Sequence, residues 1–293
     1  MPIRTVGVIG LGKIAMPIAE HLIKSGYRVV GFRRSAMTQL ESAGGIPKGS
    51  AAAVAEDSDF VLSCLPSEEA LDDVVAGPRG LINTIRGGQI VLELGTYPVE
   101  VKTRQRDRLA AKGAIFIDGE ISGTPGMVAQ RKAAVYLSGD EDACRTAAEV
   151  VKGFSDACTY FGKFGSSIRV KLVANLLVTL NVAAVAEAMA LALKTGIDIK
   201  PLIQAVGSGA GGSPQFTIRA PWMAEGKFLP AQGSIDVLSH YFEPIKKMAA
   251  ELGVSTPMLE RAVSLFDRAK AEGKGEHDVA AIVDIISRLP RPT

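Results

Sequence analysis

The chain of 293 residues is long for one domain and comfortable for two, since single hydrophobic cores stop growing at about 250 to 300 residues. Apolar residues make up 47% of it and charged residues 22%, which excludes a disordered chain and provides ample material for cores. The 33 basic and 31 acidic residues are scattered and nearly cancel to a net charge of +2, so we expect neither a nucleic-acid nor a membrane partner.

Short β-rich runs alternate with amphipathic stretches in the first half of the chain. The strand candidates are TVGVIG, YRVVGF, FVLSCL, QIVLEL, AIFIDG and AAVYLS. The segments between the first four have the pattern of crossover helices. This rhythm predicts an α/β fold with a doubly wound parallel sheet of the Rossmann type.

The pattern changes after FGKFGSS, and the remainder reads as helical. The stretch from Ser167 to Lys194 predicts one long helix that joins the two domains. Its apolar run is interrupted by Asn175, Asn181 and Glu187, which favours a helix buried inside protein over a bilayer span. We therefore predict a dinucleotide-binding domain over 1–163 and an all-helical domain for substrate binding and dimerisation over 164–293.

A glycine turn follows the first predicted strand and opens a helix. It reads Gly10-Leu11-Gly12-Lys13-Ile14-Ala15, the G-x-G-x-x-A form. The first glycine permits the tight turn and the second lets a pyrophosphate approach the backbone, beside the amides of the helix N-terminus. The turn predicts a dinucleotide site, although a plain turn between strand and helix has the same glycines.

The second predicted strand ends at Arg33, Arg34 and Ser35 instead of at an acidic residue. An NAD site commonly has Asp or Glu there to bind the ribose hydroxyls, and that carboxylate would repel a 2′-phosphate. Two guanidinium groups and a hydroxyl suit the phosphate of NADP. The end of this strand therefore predicts NADP as the cofactor. The alternative is that the two arginines are simply solvated and bind no phosphate.

The three cysteines, Cys64, Cys144 and Cys158, lack the spacing of metal ligands and fit a reducing compartment. The first strand starts within a few residues of Met1, which leaves no room for an export signal. We therefore expect a cytoplasmic protein with no bound metal.

The chain resembles the β-hydroxyacid dehydrogenase family, which includes 3-hydroxyisobutyrate dehydrogenases, tartronate semialdehyde reductases and glyoxylate/succinic semialdehyde reductases. Four blocks carry the resemblance: the glycine turn, Glu93-Leu94-Gly95-Thr96, DGEISGT over 118–124, and GSSIRVKLVAN over 165–175. The resemblance covers essentially the whole chain. It implies a Rossmann domain followed by a helical domain of the 6-phosphogluconate dehydrogenase type.

The resemblance also implies roles for individual residues. Ser122 and Gly123 would hold a substrate carboxylate, Lys171 would be the catalytic acid/base, and Asn175 would help to bind the substrate. Leu65, Pro66 and Thr96 would line the nicotinamide side of the cleft. Lys171 and Asn175 are four residues apart, which places them on one helix face. The alternative is that Lys171 has no role in the reaction and only extends its ammonium into water from the start of the helix.

Some positions depart from the family pattern. Thr124 stands where glycine is usual, and His240-Tyr241 stands where Lys-Asp is usual. His240 could replace that lysine at the substrate, or be an ordinary helix residue. Asp278 matches a family aspartate near the C-terminus and could equally cap a helix.

These observations predict an oxidoreductase that transfers a hydride between NADP and a small 3-hydroxy acid or semialdehyde. An imine reductase on the same fold and a non-catalytic NADP-binding module are the alternatives, and both are disfavoured by Lys171. The C-terminal helices are rich in Ala, Leu and Val, so we also predict a homodimer or homotetramer.

Overall fold

The computed structural model describes residues 3–290. Contacts divide the chain into two compact units, Met1–Lys171 and Leu172–Thr293. The division lies inside a long helix, because the first turn of that helix is bonded to the sheet of the first unit. The Ser167 hydroxyl donates to the carbonyl oxygen of Asp118 at 3.1 Å, and its amide donates to Ser138 Oγ at 3.0 Å.

The strands of the first unit form one mixed sheet. They are β1 (Thr5–Ile9), β2 (Arg28–Phe32), β3 (Ile46–Pro47), β4 (Phe60–Ser63), β5 (Ile90–Glu93), β6 (Ile115–Ser122), β7 (Ala134–Ser138) and β8 (Ala157–Tyr160). The spatial order is β3-β2-β1-β4-β5-β6-β7-β8. β1 to β6 run parallel to one another, which confirms the predicted doubly wound sheet.

Helices cover both faces of this sheet. They are α1 (Ala15–Lys24), α2 (Thr38–Ser42), α3 (Ala51–Glu56), α4 (Glu68–Ala76), α5 (Val99–Ala110), α6 (Pro125–Ala129) and α7 (Glu141–Val151), with a 3-10 turn at Leu81–Asn83. Side chains alternate along β1, so Val6 and Val8 join one apolar cluster while Ile9 joins the other. The two clusters form the core.

The last part of the sheet differs from the all-parallel prediction, because β7 runs antiparallel to β6. Residues 123–133 connect them and contain only the five-residue helix α6. A parallel crossover normally needs a dozen or more residues, usually with a full helix, so the chain turns back instead. β8 then pairs in parallel with β7. The sequence analysis did not identify β3 and β8 as strands.

The second unit is helical, as predicted. Its elements are α8 (Ser166–Ala192, which begins in the first unit), α9 (Ile199–Ser208), α10 (Pro214–Glu225), α11 (Ile235–Ser239), α12 (Phe242–Glu251), α13 (Pro257–Ala271) and α14 (Ile282–Ser287), with a 3-10 turn at Val279–Ala281. α8 is a single unbroken helix, as the sequence predicts for Ser167 to Lys194.

α8 is long and apolar enough to cross a membrane by length and composition alone. Core helices of soluble proteins pass the same test. The most apolar 18-residue stretch of α8 has a mean hydropathy of 1.8, and 39% of it is buried. Val173, Leu177 and Leu191 are exposed. Packing within the single chain therefore covers only part of the surface that the sequence analysis expected to be buried.

Asp278 joins several segments of the second unit. Its Oδ2 accepts hydrogen bonds from Arg219 Nη1 at 2.9 Å and from the amides of Gln232 and Gly233, while its Oδ1 accepts from the amide of Ala280 at 3.0 Å. The carboxylate is fully buried. Asp278 therefore caps the 3-10 turn and also forms a buried ion pair, a larger structural role than the cap that the sequence suggested.

Candidate active site

A cleft lies at the carboxyl ends of β1, β2 and β4, where the loops after these strands line a cavity of about 630 Å³. Gly10 has a φ of +87°, and any Cβ there would overlap the carbonyl oxygen of Cys64. A Cβ on Gly12 would face open space, with its nearest contact 3.9 Å away. Open backbone at Gly12, before α1, fits the approach of a pyrophosphate. Leu11, Lys13 and Ile14 also line this cavity.

The three polar residues after β2 have different surroundings. The Arg33 guanidinium donates from Nε to the carbonyl oxygen of Ala36 at 2.7 Å and from Nη1 to that of Leu11 at 3.0 Å. It therefore ties the loop after β2 to the glycine turn. Arg34 and Ser35 are exposed and line the same cleft. Of the two guanidinium groups, that of Arg34 is the one whose donors are not used by this loop.

The other end of the cleft is lined by Leu65 and Pro66, after β4. The Tyr97 hydroxyl donates to the carbonyl oxygen of Leu65 at 2.6 Å and so fixes that loop against the loop after β5. Thr96 precedes Tyr97 and is half-buried. Its hydroxyl donates to Glu120 Oε2 at 2.6 Å.

Lys171 is 7% exposed, on the second turn of α8. Its ammonium donates to the carbonyl oxygen of Ile121 at 2.6 Å. Burial lowers the pKa of Lys171 from its usual value, and the negative charge of Glu120 opposes part of that change. The Lys171 side chain is thus buried and held against the end of β6, instead of being extended into water.

The end of β6 carries the residues that the resemblance assigns to the substrate. Ser122 and Gly123 directly follow Ile121, so the structure brings Lys171 to this segment. A Cβ on Gly123 would lie 2.7 Å from that of Ala133, so the segment needs glycine there. The Thr124 hydroxyl oxygen accepts from the amide of Met127 at 3.3 Å and caps α6.

Asn175 lies one turn after Lys171 in α8. It is 7% exposed, and its side-chain nitrogen has no hydrogen-bond partner within residues 3–290. A buried amide nitrogen without a partner is uncommon and is typical of a site that a ligand completes. His240 follows α11 in the second unit and is exposed. Its role at the substrate stays a prediction.

A buried ionic cluster lies behind Thr96, and the sequence analysis did not identify it. Lys102 of α5 donates to Asp118 Oδ1 at 2.7 Å, to Glu120 Oε1 at 3.0 Å and to the carbonyl oxygen of Gly119 at 3.0 Å. All three of these side chains are fully buried. Burial opposes the charge of Lys102, but the surrounding carboxylates outweigh it and raise the pKa of Lys102.

Glu93 ends β5 beside this cluster. One of its oxygens accepts from the amide of Gly95 at 2.6 Å, whereas Oε2 has no hydrogen-bond partner among the described residues. Burial raises the pKa of Glu93 to about 7. Burial also raises the pKa of the nearby Cys64 thiol to about 12, so Cys64 is a neutral thiol near pH 7.

A sequence signal for the cluster does exist. Asp118 and Glu120 are two residues apart in an apolar strand, which places both on one face of the sheet. Two carboxylates on a buried face require a cationic partner. The sequence does not tell which lysine supplies it, since Lys102 belongs to a helix whose register depends on tertiary packing.

Two family models together match nearly all of the chain. The NAD binding domain of 6-phosphogluconate dehydrogenase matches residues 5–162, and the model described as NAD-binding of NADP-dependent 3-hydroxyisobutyrate dehydrogenase matches residues 165–286. The chain belongs to the β-hydroxyacid dehydrogenase family. It is an NAD(P)-dependent oxidoreductase of the β-hydroxyacid dehydrogenase type.

Similar proteins cover the full length of this β-hydroxyacid dehydrogenase. L-threonate dehydrogenase of Cupriavidus necator is 27% identical over 99% of this chain and 98% of its own. The 3-hydroxyisobutyrate dehydrogenase of Salmonella typhimurium is 24% identical, with a TM-score of 0.85 over 96% of this chain and 99% of its own. Psf3, solved in complex with NADP+ and 2-OPP, is 23% identical with the same TM-score, over 96% and 100% of the two chains. The two solved structures show the shared fold.

The chemistry available at this site is that of acids, bases and hydrogen-bond donors. Within residues 3–290, no three His, Cys, Asp or Glu side chains are arranged to hold a metal ion. A buried ammonium, a serine hydroxyl and backbone amides can bind a carboxylate and stabilise charge that develops on oxygen.

Proposed function

We propose that this β-hydroxyacid dehydrogenase transfers a hydride between NADP and a small 3-hydroxy acid or the corresponding semialdehyde, with Lys171 as the acid/base. The observation that carries the proposal is the position of Lys171. Its buried ammonium is bonded to the carbonyl oxygen of Ile121, directly before Ser122 and Gly123. A buried cation at this place suits an anionic substrate and a reaction that moves charge onto oxygen.

Lys171 would act in both directions of the reaction. The bound nicotinamide supplies or accepts the hydride. In the reduction, the Lys171 ammonium donates a hydrogen bond to the carbonyl oxygen of the substrate and then transfers its proton to that oxygen. In the oxidation, the neutral Lys171 amine removes the proton of the substrate hydroxyl. Burial lowers the pKa of Lys171 and so moves it towards the working pH, which favours proton exchange.

The substrate carboxylate would be held by Ser122 and the amide of Gly123. The Thr124 hydroxyl oxygen already accepts a bond from α6, so its proton is the part that can be offered to a ligand. The unpartnered side-chain nitrogen of Asn175 is a further donor for a substrate oxygen. These donors favour a substrate that brings several oxygen atoms, as a hydroxy acid does.

NADP is the proposed cofactor because the loop after β2 presents Arg34 and Ser35 to the cleft and no carboxylate. A guanidinium can form two charge-assisted hydrogen bonds to a phosphate. Psf3, a structural neighbour solved with NADP+, supports the same choice. At the other end, Leu65, Pro66 and Thr96 would lie along the nicotinamide.

A substrate panel with both cofactors tests the proposal. L-threonate, 3-hydroxyisobutyrate, tartronate semialdehyde and succinic semialdehyde are assayed with the NADP and the NAD couples, beside esters of the acids. We expect turnover of at least one acid with NADP, and a large loss for its ester, because the donors at Ser122 and Gly123 would be left unpaired.

Two results would overturn this proposal. Reduction of cyclic imines that persists after Lys171→Met, with no hydroxy acid turned over, would indicate an imine reductase. Tight NADP binding without turnover of any acid, semialdehyde or imine would indicate a non-catalytic module.

We further propose that the protein is a homodimer or homotetramer in which a second copy covers the exposed apolar residues of α8. Val173 and Leu177 lie one turn apart and are 50% and 55% exposed. A stripe of this kind on a long helix is typical of a helix packed against another subunit.

A further inference from the structure

Tyr97 is a buried tyrosine in the loop after β5. Its side chain is 6% exposed, and its ring belongs to the apolar cluster that contains Ile9. A Cβ on Gly95 would lie 2.5 Å from Tyr97 Cε2, so the ring packs directly on the backbone of that glycine. The Tyr97 hydroxyl donates to the carbonyl oxygen of Leu65 at 2.6 Å. Burial raises the pKa of Tyr97, so the hydroxyl keeps its proton and stays a donor.

The loop that carries Tyr97 is itself firmly held. The amide of Gly95 donates to Glu93 Oε1 at 2.6 Å, and the Thr96 hydroxyl donates to Glu120 Oε2 at 2.6 Å. Glu93 and Glu120 are both 0% exposed and lie in strands of the sheet. Two buried carboxylates therefore fix the loop after β5 to the sheet, and Tyr97 extends from a rigid support.

The loop after β4 has less support of its own. Cys64 still bonds to β1 through its amide, and Ser67 caps α4. Between them, Pro66 has no amide proton to donate. Within residues 3–290, the bond from Tyr97 is the hydrogen bond that holds the backbone of the Leu65–Pro66 segment. The shape of this segment therefore depends on Tyr97.

We propose that Tyr97 is a positioning residue for the nicotinamide half of the cofactor: its hydroxyl holds the Leu65–Pro66 segment in the shape that receives the nicotinamide. This inference rests on the proposed function, which places the nicotinamide beside Leu65 and Pro66. Both residues line the cofactor cleft, whereas Arg34 and Ser35 line it near the end of β2.

The physical effect is preorganisation of the cleft. In the wild type, the segment is already ordered before the cofactor arrives. Without the Tyr97 hydroxyl, part of the binding free energy has to order the segment, and binding weakens by that amount. Only a ligand that contacts the segment is affected, so the two halves of the cofactor should respond differently.

Tyr97→Phe tests this inference, because it removes one oxygen atom and keeps the ring on Gly95. Calorimetric titration gives the Kd values of NADPH, NADH and adenosine 2′,5′-bisphosphate, a fragment that carries the adenosine half without the nicotinamide. One neutral hydrogen bond corresponds to about a two- to tenfold change in Kd. We expect the Kd values of NADPH and NADH to rise by about this factor, and that of the fragment to stay at the wild-type value.

Tyr160→Phe is the matched control. The Tyr160 hydroxyl also donates to a backbone carbonyl oxygen, that of Gly139, at 3.1 Å. Tyr160 ends β8, at the edge of the sheet and four strands away from β4. The same chemical change there should leave all three Kd values unchanged.

Gly95→Ala is a second perturbation and replaces Tyr97→Phe if that variant does not fold. The added Cβ would overlap the Tyr97 ring and displace its hydroxyl from Leu65. We expect the same pattern, with both dinucleotides weakened and the fragment unchanged.

Two results would overturn the inference. Unchanged Kd values for NADPH and NADH would mean that the Tyr97 bond does not shape the cleft. An equal loss for the fragment would mean that Tyr97 supports the whole domain and not the nicotinamide half. These titrations use no substrate, so an enzyme that turns over no acid or semialdehyde would end the proposed reaction while the role of Tyr97 is still decided.

Discussion

We expect Arg34 to determine the choice between NADP and NAD, and Arg34→Ala tests this expectation. Arg34 lines the cleft, and its guanidinium is not used by the loop that carries it. Hydrogen bonds to charged groups contribute about 1.5 to 3 kcal/mol each, and about 1.4 kcal/mol corresponds to a tenfold change in Kd. We therefore expect the Kd for NADP to rise roughly ten- to a hundredfold while the Kd for NAD stays nearly unchanged. Calorimetric titration of both cofactors at one fixed salt concentration measures the two values.

Arg33→Ala is the matched control for Arg34→Ala. The Arg33 guanidinium bonds to the carbonyl oxygens of Ala36 and Leu11, so its loss should loosen the loop and the glycine turn together. The Kd values for NADP and NAD should then rise by similar factors. The reasoning is refuted if Arg34→Ala weakens both cofactors equally, or if Arg33→Ala alone carries the preference for NADP.

Three further predictions concern stability and assembly. Asp278→Asn should lower the free energy of unfolding by about 3 to 5 kcal/mol, because it leaves the buried Arg219 cation without its charged partner. Asp236→Asn removes an exposed ion pair with Lys270 and should lower the free energy of unfolding by about 1 kcal/mol or less. Equal losses for the two variants in urea unfolding would contradict this prediction. Because the pKa of Glu93 is raised to about 7, the wild type should lose stability relative to Glu93→Gln as pH rises from about 4.5 to 7. The loss in unfolding free energy should be on the order of 3 kcal/mol. A difference between the two proteins that does not change over this pH range would contradict the raised pKa of Glu93. Light scattering should give the mass of two or four chains and Leu177→Lys should lower it; a wild-type monomer at micromolar concentration would contradict the assembly.

Local patterns in the sequence predict those parts of the fold that depend on local chemistry. The glycine turn is predictable because Gly10 needs a positive φ, and α8 because its apolar run has no Gly or Pro to interrupt it. β3 and β8 are harder to predict, since Ile46–Pro47 has two residues and Ala157–Tyr160 is largely exposed. The antiparallel β7 follows from the shortness of the connection before it.

The site was predictable only to the level of residue type. Arg33 and Arg34 are adjacent and chemically identical, so the sequence could not tell that one bonds to the loop and the other lines the cleft. The cluster around Lys102 depends on which helix residue meets the carboxylates of β6, and tertiary packing decides this. The sequence therefore predicts Lys171 as the acid/base but does not predict the buried ionic cluster around Lys102.

The most direct test of the account is the turnover of Lys171→Met, a substitution that removes the ammonium and keeps most of the side-chain volume. General acid/base catalysis contributes about 10² to 10⁴ in rate, so kcat should fall at least a hundredfold on the best acid or semialdehyde, while the Kd for NADP stays within a few-fold. A deuterium isotope effect with labelled NADPH in the wild type establishes that hydride transfer limits the rate. A Lys171→Met enzyme that folds, binds NADP and keeps more than about a tenth of the wild-type kcat would contradict the central claim.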